Sequence, residues 1–182
     1  MHILAILLGI IGTGLFWAMR LSANRKNIGD AANTIHGAAV HAKNLPRQRR
    51  FKKAHNRKGF DLVEFPTEAA TVLMIMMARS GDTRRMEPKE RELMETLLRT
   101  NMQLSEDDAD GMIRQMDSLT HDIVLPESAI QPMTRILLDA VSKDDASDLA
   151  DMLAQIAGAD GDGPNVEQVE FLRRFKEPFD LN

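Results

Sequence analysis

The chain has no cysteine and no tyrosine, and its aromatic side chains are one tryptophan and seven phenylalanines in 182 residues. Without cysteine there is no disulfide framework, no thiolate metal site and no thiol nucleophile, and such a chain suits a reducing compartment. Sequence signs of catalysis are missing too. His121-Asp122 falls in an expected loop, with no nucleophile motif, glycine-rich phosphate loop or zinc signature beside it. His121 reads as a surface residue, and the chain is expected not to be an enzyme. A further absence is local: residues 3–19, ILAILLGIIGTGLFWAM, carry no charged group before Arg20.

That uncharged run is long enough to cross a bilayer, which takes about 17–25 apolar residues. Nine of its residues are Ile, Leu or Phe, each worth about −0.3 to −0.6 kcal/mol near the centre of a membrane helix. Trp17 falls where an interfacial aromatic belongs. A cleaved signal peptide would place positive charge before the run and a small-x-small site after it. Only His2 precedes the run and Leu21-Ser22-Ala23-Asn24 follows it, so residues 1–21 are expected to form an uncleaved transmembrane helix. Ala5, Gly9 and Thr13 share one face of that helix, with Gly12 beside it. Small residues at this spacing admit a second helix, although glycine is also common in membrane helices generally.

Charge is distributed unevenly behind the run. Residues 19–60 contain eleven Lys or Arg against the single acid Asp30, whereas residues 61–182 contain twelve against twenty-six acids. The expected organisation is therefore an anchor (1–21), a basic juxtamembrane linker (22–60) and an acidic body (61–182). Basic residues flanking a span stay on the cytoplasmic side, which puts the amino terminus outside and the body in the cytoplasm. The cluster Arg47, Arg49, Arg50, Lys52 and Lys53 is expected to meet anionic lipid headgroups, at about 1 kcal/mol per charge near the surface. Nucleic acid is not an expected partner, because the acidic body repels phosphate and only Phe51 is available for stacking. His36, His41 and His55 lack a tight ligand spacing and read as solvated.

From residue 61 onward the apolar period is helical throughout and nothing alternates as a strand would. Thr67 is an expected cap for a helix reaching Arg79, and Pro88 opens the next, with Leu93, Met94, Leu97 and Leu98 on one stripe. Ser105 caps a third, whose buried face is Met112, Ile113, Met116 and Leu119. Pro126 suggests a short turn, and Pro132 opens a helix through Met133, Ile136, Leu137, Ala140 and Val141. Another begins at Asp144 with Leu149, Met152, Leu153 and Ile156 inward, and the last spans 165–175 on Val166, Val169, Leu172 and Phe175. The body is expected to be an all-α bundle of about six or seven helices, with methionine as adaptable core filler.

Two turns between these helices resemble each other at an offset of eighty residues. Gly81-Asp82-Thr83-Arg84-Arg85-Met86-Glu87-Pro88-Lys89-Glu90 aligns without gaps on Gly161-Asp162-Gly163-Pro164-Asn165-Val166-Glu167-Gln168-Val169-Glu170. A glycine, an aspartate, an apolar residue and two glutamates coincide, as in a duplicated helix–acidic turn–helix unit.

Ala157-Gly158-Ala159-Asp160-Gly161, followed by Glu167 and Glu170, resembles the second half of the TerB-like domain, named for tellurite resistance and found also in the amino-terminal part of the DjlA co-chaperones. The resemblance covers residues 66–177 together with the order of helices. An anchor followed by such a domain is similar to DjlA, but no His-Pro-Asp occurs, so the J domain is missing. The resemblance implies an interaction module with an acidic surface that takes up a divalent cation such as Ca²⁺. Asp160, Asp162, Glu167 and Glu170 would supply hard oxygen ligands, with Asp82, Glu87 and Glu90 as the counterpart. Ser80 stands where the second turn has Asp160, which weakens the first half of such a site. The same acids would also serve simply as first-turn residues, stabilising helix ends by about 0.3–1 kcal/mol.

Two functional readings follow. One is a non-catalytic, single-pass inner-membrane adaptor or accessory subunit, with integral membrane partners at the anchor and a protein partner at the helical domain. The other is a divalent-cation stress sensor of the tellurite type, or a module like that of the co-chaperones.

Overall fold

The computed structural model describes residues 59–159, 161 and 163–181. The expected anchor and linker, and with them Ala5, Gly9, Gly12, Thr13, Arg47, Arg49, Arg50, Lys52 and Lys53, lie outside the described residues. Among the described residues no helix is long and apolar enough to cross a membrane. These residues form six α-helices and no strand: α1 Pro66–Arg79, α2 Pro88–Asn101, α3 Glu106–Leu119, α4 Ile130–Leu138, α5 Lys143–Ala157 and α6 Val166–Lys176. Short 3₁₀ helices stand at Gly59–Leu62, Pro126–Ala129 and Glu177–Phe179.

The sequence of α1, PTEAATVLMIMMAR, is apolar on every side, and a helix of that kind must be enclosed. Every residue from Thr67 to Ala78 is buried. Helices α2, α3, α4 and α5 and the 3₁₀ turn at Pro126–Ala129 pack around it. Its hydroxyls are satisfied locally, Thr71 Oγ1 donating to Thr67 O at 2.8 Å and Ser80 Oγ to Met76 O at 2.8 Å. Methionine fills the space around this axis, with Met74, Met76, Met77, Met94, Met102, Met112, Met116, Met133 and Met152 all buried. An unbranched thioether adapts to irregular gaps between crossing helices, which accounts for its use here.

Helix starts follow one rule. In α1, α2, α3, α5 and α6 the third helical residue is a buried polar side chain: Glu68, Glu90, Asp108, Asp145 and Gln168. Glu68 accepts from the Phe65 N–H at 3.2 Å, Glu90 from the Glu87 N–H at 2.6 Å, and Asp145 from the Ser142 N–H at 2.7 Å. Ser105 and Asp108 are linked by side chain at 2.7 Å. Ser105, Ser142 and Asn165 in turn accept from the N–H of Asp108, Asp145 and Gln168, so α5 and α6 carry full capping boxes, and these bonds satisfy amide groups that helix ends leave orphaned.

Some expected boundaries move for physical reasons. Thr67 is not a cap but a buried helical residue, because Pro66 occupies the first turn and Phe65 stands at the cap. Helix α4 begins two residues before Pro132, which sits within the first turn, where no amide partner is needed, and it ends at Leu138, so the expected Ala140 and Val141 fall beyond it. Helix α5 is capped by Ser142 and so starts at Lys143 rather than Asp144. The largest difference is the face of α6. Val166 is 85 % exposed and Val169 54 %, while Gln168, Phe171 and Phe175 point inward. Those three fall at i, i+3 and i+7, one face of a helix, and Phe175 stacks on Phe179 with ring centroids 5.3 Å apart.

Candidate functional site

The two turns singled out in the sequence meet in space. The α1–α2 linker comprises residues 80–87 and the α5–α6 linker residues 158–165, eight residues each, so equivalent helix ends are 78 residues apart rather than eighty. In this register Glu87 and Asn165 are both caps, and Glu90 and Gln168 are both third helical residues. The gapless alignment at eighty paired side chains by type and lost this equivalence. At 78, Asp82 corresponds to Asp160 and Arg84 to Asp162; Asp160 and Asp162 lie outside the described residues.

The junction is built mainly from polar bonds. Asn165 Nδ2 donates to Ser80 O at 3.1 Å and to Asp82 Oδ1 at 2.9 Å, while its own Oδ1 accepts from the Gln168 N–H at 2.8 Å. Gln168 Nε2 reaches Met77 O at 3.5 Å, which ties the start of α6 to the last turn of α1. Gly81 sits at this close approach, and a Cβ there would stand 3.1 Å from Ala78 O and 3.5 Å from Gln168 Nε2. Arg84 Nη2 donates to Glu167 Oε1 at 2.6 Å, both side chains being about half exposed. Arg84 holds this position with φ of 56°, the left-handed region that non-glycine residues seldom adopt. Gly81, Asp82, Arg84, Asn165, Val166 and Glu167 line an open depression of about 500 Å³.

Beside it lies a second depression of about 290 Å³, where Leu125, Val166 and Phe171 are flanked by Arg84, Arg174, Glu127, Glu167 and Glu170. Val124 is 84 % and Leu125 59 % exposed in the loop before the second 3₁₀ turn. His121 is exposed in the preceding turn, as its sequence context suggests.

The acidic residues proposed as cation ligands have these surroundings. Glu167 is paired with Arg84. Glu170 accepts from Arg173 at 2.8 Å and Arg174 at 2.7 Å, and these hydrogen bonds hold its carboxyl down to about 2. Asp82 accepts from Asn165, Glu87 is the cap of α2, and Glu90 is buried in the capping box. Among the described residues no group of three His, Asp or Glu side chains could hold a metal ion. Among the described donors Glu167 and Glu170 face guanidinium groups, Asp82 faces the Asn165 amide and Glu90 the Glu87 N–H.

Sequence reasoning passed over Arg84, Asn165 and Arg79. Asn165 followed three residues later by Gln168 is a capping-box signature that was available to be read. Arg79 lies at the end of α1, donating to Asp117 Oδ1 at 2.8 Å and to Thr120 O at 2.6 Å, so one guanidinium closes the carboxyl end of α3. No local pattern marks that pairing.

A ring of helices around one buried helix, with two capped polar linkers joined at one end, defines a small all-α module that presents a mixed polar and apolar face. A family model described as Tellurite resistance protein TerB matches residues 67–182, and the chain belongs to that family. Comparison with curated proteins and with solved structures finds no match.

Proposed function

We propose that the chain is a membrane-anchored, non-catalytic interaction protein, an adaptor or accessory subunit of an inner-membrane complex, whose TerB domain offers its docking face beside the joined linkers. The observation that carries this reading is the apolar group of Val124, Leu125 and Val166, exposed at 84, 59 and 85 %, next to a charged rim. An apolar centre with a polar rim is the usual anatomy of a protein–protein contact. Glu167 and Glu170 at this rim are paired with Arg84 and Arg174, and arginine holds the Glu170 carboxyl ionised, an arrangement that suits salt links with a partner. The uncharged run at residues 3–19 supplies the anchor in this reading, and the basic cluster 47–53 supplies contact with anionic lipid on the cytoplasmic side.

The experiment is a mild-detergent pull-down of the tagged full chain, of a chain lacking residues 1–23, and of Leu125→Asp and Val166→Asp, each followed by mass spectrometry. One membrane complex retained by the full chain and lost by the aspartate variants is the expected result. Loss on removing residues 1–23 alone would move the docking face to the anchor, and recovery of no stable partner by the full chain would overturn the proposal.

A further inference from the structure

The resemblance to TerB-like domains implies a divalent cation at the acidic turns, yet Glu167, Asp82 and Glu170 already hold partners within the protein. The central residue is Arg84. By helix ends it occupies the place that Asp162 holds in the second linker, so an acid in one turn is replaced by a base in the other. Its backbone adopts φ of 56°, and from there its guanidinium meets Glu167 across the junction at 2.6 Å. Asp82, the other described carboxylate lining this depression, is held by Asn165 at 2.9 Å. We propose that Arg84 is a built-in cation at the junction, closing the two linkers in place of a divalent ion and making their contact independent of one.

Arg84 carries one positive charge next to Glu167, and an incoming cation meets that charge before it meets the carboxylate. Removing the charge exposes Glu167 and Asp82 to solvent cations without altering either acid. Asparagine is the appropriate replacement, because it tolerates left-handed backbone better than most residues and is neutral.

The test is a Ca²⁺ titration of the full chain in detergent, read at the amide signals of Gly81, Asp82 and Glu167, for the natural protein, Arg84→Asn, Arg84→Lys and the double variant Arg84→Asn with Glu167→Gln. Dispersed amide spectra establish that each variant is folded. The natural protein and Arg84→Lys are expected to show no saturable shift at these amides. Arg84→Asn is expected to gain one, at least about fivefold tighter than any response of the natural protein, the size of effect that one charge a few ångströms away has under near-aqueous screening. The double variant is expected to lose the gained response. Equal titration of the natural protein and Arg84→Asn, absence of response in both, or persistence in the double variant would each overturn the proposal.

Discussion

The two linkers have the same length and the same cap positions, and they differ in what occupies their turns. The second places Gly161 and Gly163 at φ of 92° and 78°, where glycine has no steric penalty. The first places Arg84 at φ of 56°, where a side chain costs on the order of 1–2 kcal/mol. What the pair shares is therefore the arrangement of helix ends: a cap, a third helical residue turned back on it, and eight residues of connection. The acids that make the linkers look alike in sequence are not the equivalent positions. A duplicated unit keeps the geometry of its termini, while the chemistry of its turns diverges.

The comparison can be broken most strongly at the point of closest approach. Gly81→Val should destabilise the domain by about 2–3 kcal/mol, read from the denaturant midpoint, because its Cβ would press on the Ala78 carbonyl and the extra methyls on Gln168. Gly161→Asn should cost less, about 1 kcal/mol, since a Cβ there meets nothing and asparagine tolerates left-handed backbone. Similar losses at both sites would refute the difference between a packed first turn and an open second one.

Asn165→Ala should follow, at about 1–2 kcal/mol, because it removes both the cap of α6 and the bridge to Asp82 and Ser80. A loss no larger than that of an isolated peptide cap, about 0.5 kcal/mol, would mean that the bridge between linkers contributes nothing.

Exchanging the third helical residues sharpens the equivalence at 78. Glu90→Gln brings the second linker's residue into the first and should shift stability by no more than about 0.5 kcal/mol, since the amide oxygen still accepts from the Glu87 N–H. Glu90→Ala should cost about 1–2 kcal/mol, as the capping bond is lost. Equal losses for Gln and Ala would show that charge, not capping geometry, is required.

The smallest effect concerns Glu170, whose carboxyl is held down to about 2 by hydrogen bonds from Arg173 and then Arg174. A carboxyl depressed in the folded state adds stability that is present above its ordinary value of 4.5 and is lost as pH falls toward 2. Acid titration of the melting temperature should fall across that window and flatten in Glu170→Gln. The contribution is small because the ion pairs are solvent-exposed. Asp148 has the opposite sign: burial, then Asp145, Asp151 and Asp144, push its carboxyl up, so it opposes folding at neutral pH.

What the sequence determined by itself is short-range. Ser105 announces the start of α3, Pro88 that of α2, and the methionine stripes of α1, α3 and α5 identify the core, because caps and helical period act within a few residues of chain. The class of fold and the presence of two comparable turns were legible for the same reason. Tertiary structure alone decided which face of α6 turns inward, where the polar Gln168 is buried and Val166 is left in solvent. It also decided that Arg84 meets Glu167 and Arg79 closes α3. These pairings join residues 83 and 41 apart in sequence, and no local pattern encodes a distance that depends on how whole helices pack about α1.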